Sequence, residues 1–139
     1  MKPLILHIAY DKSSARNRIP RLFSQCNITS VGPEQAIFAA IDAQFEAVII
    51  CHSVPKRKAL TLVQFLRRVA PQVPVIMVRT GRKRQPLVPA DYYVMQMEEH
   101  LLLPRLVERL TDDSAMRLPK KVVPIEAVAR HAVAAKQAS

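Results

Sequence analysis

Phe45-Glu46-Ala47-Val48-Ile49-Ile50 becomes wholly apolar from Ala47 onward, with no polar residue at every second position. A strand with one face in water alternates apolar and polar side chains. A run without that alternation predicts burial on both faces, as in a parallel sheet covered by helices, and makes this segment the expected central strand.

Outward from that centre, short apolar runs alternate with amphipathic stretches. Leu4 to Tyr10 predicts a first strand, interrupted by His7, which reads as a core histidine with its hydrogen bonds satisfied. Ser13 or Ser14 is placed to cap a helix in which Ile19, Leu22, Phe23 and Cys26 share one face. Pro20 falls within it, so a bend or a late start is expected. Ile28 to Val31 predicts the second strand, and Gly32-Pro33-Glu34 opens a second helix whose buried face is expected to carry Ile37, Ala40 and Ile41. Leu62, Phe65, Leu66 and Val69 mark a third helix ending before Pro71. Val73 to Val78 and Tyr92 to Met95 predict the fourth and fifth strands. Only Gly81 to Ala90 links them, so a shortened fourth helix is expected there. Leu103, Leu106, Val107 and Leu110 give the last amphipathic helix, with Pro104 either opening or kinking it.

This βαβαβαβαβα order predicts an α/β, three-layer, doubly wound parallel sheet of five strands in the order 2-1-3-4-5, a flavodoxin-like arrangement. Residues 1–112 are read as one domain, and residues 113–139 as a basic tail containing Ala and Pro. Ile125 to Lys136 could form a helix too narrow in its apolar face to stand alone in water.

Composition narrows the function classes. The 139 residues carry a net charge of +10, which favours an anionic partner without naming it. From Ala47 to Ala90 there is no Asp or Glu, yet nine Lys and Arg. Four Phe, three Tyr and no Trp argue against a platform of stacked bases. No apolar run is long enough to span a bilayer, so no membrane association is expected. Cys26 and Cys51 show neither disulfide nor metal spacing and read as buried thiols of a reducing cytoplasm. Only Gly32 and Gly81 occur, and no glycine-rich phosphate loop or metal cluster is present, so no enzymatic activity, cofactor or metal is expected.

The chain resembles the receiver domains of bacterial response regulators. Gly32-Pro33-Glu34-Gln35-Ala36 matches the start of that family's second helix, and Val48 to Pro55 matches its third strand and following loop. Pro74 to Thr80 matches the fourth strand and Ala90 to Gln96 the fifth. The likeness spans residues 4 to about 112.

In this family an acidic pair holds Mg²⁺, an aspartate after the third strand takes the phosphoryl group, and a hydroxyl and a lysine complete the site. Carried over, the acidic pair falls on Ala9-Tyr10 or Tyr10-Asp11, and the acceptor position is Cys51. The hydroxyl position is Arg79 or, shifted by one, Thr80; the lysine position is Gln96. The resemblance therefore implies a pseudo-receiver that cannot form an aspartyl phosphate.

If the fold holds, Lys12, Lys56, Arg57, Lys58, Arg79, Arg82, Lys83 and Arg84 emerge at the carboxyl edge of the sheet and are candidates for anion binding. Cys51 and His52 would face each other only where the strand has already ended. Of Tyr92 and Tyr93, one is expected to pack inward and the other to lie on the partner surface that the resemblance implies. The expected function is an atypical, non-phosphorylatable receiver-like protein that binds a partner protein in cytoplasmic signal transduction or transcriptional control. A small basic protein binding nucleic acid or a phosphorylated ligand is the alternative, and a homodimer stays open.

Overall fold

The computed structural model describes residues 2–10, 12, 14–42, 44–80 and 88–116, apart from the side chains of residues 42 and 113–116. Five strands, β1 (Leu4–Ile8), β2 (Asn27–Val31), β3 (Ala47–Ile50), β4 (Val75–Arg79) and β5 (Tyr92–Met95), form one parallel sheet in the order β2-β1-β3-β4-β5. The expected doubly wound order is the observed one. β3 sits at the centre with all four of its side chains buried, between β1 (Ile8 beside Ile50) and β4 (Ile50 beside Met77). The layer of Ile5, Leu6, Ile8, Val48, Ile49, Ile50 and Ile76 is almost wholly removed from water and forms the middle of the core.

Helices cover both faces. α1 (Ala15–Arg18), its 3₁₀ continuation Ile19–Leu22, and α4 (Glu99–Met116) share one face; α2 (Pro33–Asp42) and α3 (Lys56–Val69) pack together on the other. Pro20 accounts for the brevity of α1. The α-helix ends at Arg18, and Pro20, which has no N–H to give, falls at the start of the 3₁₀ turn, where none is required. Ile19 and Phe23 still reach the core, while Leu22 and Cys26 are half-buried.

α2 starts at Pro33 as expected, and the carbonyl of Gly32 accepts the N–H groups of Gln35 and Ala36. Its buried face differs from the expected one. Ala36 is buried and Ile37, Ala39 and Ala40 pack against the core, whereas Ile41 is 61% exposed and Phe38 70%. This short helix docks through Ile37 and three alanines, and Phe38 and Ile41 are left outside. α3 likewise buries Ala59, Leu62, Val63 and Leu66, leaving Val69 exposed.

Leu103, Leu106, Val107 and Leu110 form the buried stripe of α4 as read from their spacing. Pro104 lies inside this helix and forgoes one backbone bond there. A 3₁₀ turn, Gln96–Glu98, leads from β5 into α4, which continues to Met116. The expected short helix between β4 and β5 falls mostly on residues 81–87, and the tail read as 113–139 falls on residues 117–139 apart from 113–116, which continue α4. Residues 81–87 and 117–139 lie outside the described residues, as do Asp11 and Ser13, and with them Arg82, Lys83 and Arg84.

Among the described residues, no helix is long and apolar enough to cross a membrane. At the amino edge of the sheet, Asp91 accepts the Val75 N–H at 2.7 Å and the Arg67 guanidinium at 2.9 Å, joining α3, β4 and the start of β5.

Candidate functional site

Strand direction brings the ends of β1, β3, β4 and β5 to one edge, where loops and helix starts gather. Cys51 follows β3 directly; its N–H bonds the Ile8 carbonyl at 2.9 Å and its side chain is 2% exposed. β3 has ended by this point, so adjacent side chains can converge. Cys51 Sγ lies 3.7 Å from His52 Nδ1 and 3.2 Å from Ser53 Oγ. Burial lowers the His52 pKa; the Glu99 carboxylate opposes that shift and the Arg18 guanidinium adds to it.

The candidate cations separate into different settings. Lys58, in the first turn of α3, pairs with Glu34 at the start of α2, and its ammonium stands 5.7 Å from the centre of the Tyr10 ring. The Glu34 hydrogen bond raises the Lys58 pKa and lowers that of Glu34. Lys12 and Arg57 are exposed to solvent. Lys56 and Arg79 come together at a cleft of about 400 Å³ between the β3–α3 loop and the end of β4. His52, Ser53 and Thr80 supply further polar lining, and Val54, Met77 and Val88 are among its apolar lining. Neither Tyr10, Cys51 nor Gln96 lines this cleft, so the structure does not join all the sequence-read pocket positions into one site. Gln96 opens the 3₁₀ turn after β5 and is half-buried.

Tyr93 is the inward member of the tyrosine pair, 4% exposed, while Tyr92 is half-buried. The Tyr93 hydroxyl accepts the Ala90 N–H at 2.9 Å and donates to the Val88 carbonyl, so it fixes the segment that walls the cleft.

Two features escaped sequence reading. Glu99, first residue of α4, is buried and bound by Arg18. A hint lay in an acid at a helix start, although nothing there pointed to its partner. His7 is only half satisfied, contrary to expectation. Its Nδ1 shares a hydrogen bond with Ser30 Oγ at 2.9 Å, but Nε2 has no partner among the described residues. Burial, with Arg16 and Arg18 nearby, lowers its pKa to about 4. Among the described residues, no three His, Cys, Asp or Glu side chains are placed to hold a metal ion.

No family model matches the chain, and no curated protein matches it by sequence. Solved structures do match its fold. The chemotaxis response regulator CheY4 of Vibrio cholerae aligns with a TM-score of 0.66 at 16% identity, covering 79% of this chain and 99% of that one. The beryllofluoride-activated receiver domain of DrrB gives 0.66 at 17% identity, covering 81% and 99%. The isolated receiver domain of RcsB from Salmonella enterica serovar Typhimurium gives 0.61 at 17% identity, covering 78% and 87%. At these identities the likeness is one of architecture: the chain has a receiver-like, flavodoxin-type fold.

Proposed function

We propose that this protein is a non-enzymatic, receiver-like module of the cytoplasm that works by binding a partner protein in signalling or transcriptional control, without an aspartyl-phosphate switch. The observation that carries this reading is Cys51: at the position where the resemblance puts the acceptor carboxylate the sequence has a thiol, which is buried and turned toward His52 and Ser53. Magnesium fits these positions poorly. It prefers oxygen ligands including one or two carboxylates, whereas among Ala9, Tyr10, Asp11 and Cys51 at most one carboxylate, that of Asp11, remains, and the Lys58 ammonium lies over Tyr10. No phosphoryl step is therefore assigned. Exposed Phe38, Ile41, Met97 and Leu101 offer apolar area for a protein contact.

Incubation with acetyl phosphate, or with beryllofluoride, in the presence of Mg²⁺ tests the reading. The expected result is an unchanged mass and unchanged amide spectra; stoichiometric Mg²⁺-dependent modification would overturn it. The acid-free stretch from Ala47 to Ala90 favours nucleic acid as a second reading. A gel-shift series across salt concentration tests it, because phosphate contacts weaken steeply with salt.

A further inference from the structure

We propose that the cleft between the β3–α3 loop and the end of β4 binds a small organic anion, a phosphate or carboxylate carried on an apolar body. Its volume of about 400 Å³ lies in the range of small-molecule sites. The lining has two characters. Lys56 and Arg79 supply positive charge, with Ser53 and Thr80 hydroxyls beside them, while Val54, Met77 and Val88 supply apolar surface.

The described residues that line the cleft include no Asp or Glu. Lys56 has no carboxylate partner among the described residues, and the first turn of α3, which it begins, contains no acid and no side-chain cap. The positive end of the helix dipole and its first N–H groups therefore add to the charge of Lys56, with no acid in that turn to offset them. Such a site attracts an anion, and its apolar part selects one with a hydrophobic body.

A concave site with half its chemistry apolar suits a small ligand better than a nucleic-acid backbone, which would leave Val54 and Met77 unused. The cleft takes in Arg79 and Thr80, the degenerate hydroxyl positions, but not Tyr10, Cys51 or Gln96, so it overlaps the sequence-read pocket only in part. The inference goes beyond the partner-binding reading and needs no magnesium. Failure of one leaves the other standing.

Phenyl phosphate titrated in EDTA, followed by amide chemical shifts, is the test, with inorganic phosphate, phenol and a short DNA duplex as comparators. Saturable binding of phenyl phosphate, tighter than of inorganic phosphate or phenol, is expected. Lys56→Gln should weaken it about tenfold, the scale of one charge-assisted hydrogen bond, and Thr80→Trp should block it. Arg68→Gln should leave it unchanged, and thermal unfolding of each variant verifies that the fold persists. No saturable binding would overturn the proposal. So would equal weakening by Arg68→Gln, which would show attraction to net charge alone. Duplex binding that phenyl phosphate cannot displace would overturn it too, by assigning the edge to nucleic acid.

Discussion

Arg18 donates from both Nε and Nη2 to a single carboxylate oxygen of Glu99, at 3.0 and 2.5 Å, and so fastens the end of α1 to the start of α4. The Glu99 side chain is 5% exposed and that of Arg18 is 40%. The carboxylate has given up most of its water for this one partner. Removing Arg18 leaves it buried and unpaired, a loss of about 3–5 kcal/mol for a fully enclosed pair and less here because water can replace part of the guanidinium. Arg18→Ala should therefore cost about 2 kcal/mol in urea unfolding. Glu99→Gln, which keeps shape and removes charge, should cost less. Equal effects would show that packing, not the ion pair, holds the joint.

Acid should destabilise the fold through His7. Its pKa falls from 6.5 to about 4 on folding, so between those values the unfolded chain binds more protons. Stability is fully present above pH 6.5 and declines as pH drops toward 4, by up to about 3 kcal/mol at the lower end. His52 contributes in the same direction. Urea midpoints measured across this window should slope in the native protein and flatten in His7→Leu; an unchanged slope would assign the acid sensitivity to other groups.

Core and surface isoleucines should separate cleanly. Ile49 is fully buried in β3, and Ile49→Ala should cost about 2–5 kcal/mol. Ile41 is 61% exposed, and Ile41→Ala should stay within about 0.5 kcal/mol. A large loss at Ile41 would show that this residue is covered in solution, for instance by a second copy.

Tyr93→Phe removes one oxygen that serves two buried backbone groups, the Ala90 N–H and the Val88 carbonyl. Each left without a partner is costly, so a loss of about 1–3 kcal/mol is expected. Amide exchange should rise first at Ala90. Uniform exchange throughout the chain would show only a global loss of stability.

The sheet was legible because its signals are local. Ala47 to Ile50 and Tyr92 to Met95 announce themselves by unbroken apolar character, and each is found at or within a residue or two of its expected bounds. Faces of short helices were less legible. Apolar spacing gave Ile37, Ala40 and Ile41 to the core, whereas α2 packs through Ala36, Ile37, Ala39 and Ala40 and leaves Ile41 outside, because close approach rewards small side chains. The site was legible in composition only. Lys56 and Arg79 stand apart in sequence and meet because β3 and β4 are parallel neighbours; Val88 reaches the same cleft from a segment held by the Tyr93 hydroxyl. Charge counting also treated Lys58 as available, although Glu34 holds it.

The opening turn of α3 bears on how a basic run should be interpreted. Successive positions on a helix diverge by about 100°, so three consecutive cations become three spokes rather than one plate. Lys56 lines a hollow, Arg57 projects into water and Lys58 is neutralised by its neighbour's carboxylate. A flat polyanion laid across this turn would meet less positive charge than the letters suggest, while a compact molecule entering from one side would meet it concentrated at a single spoke.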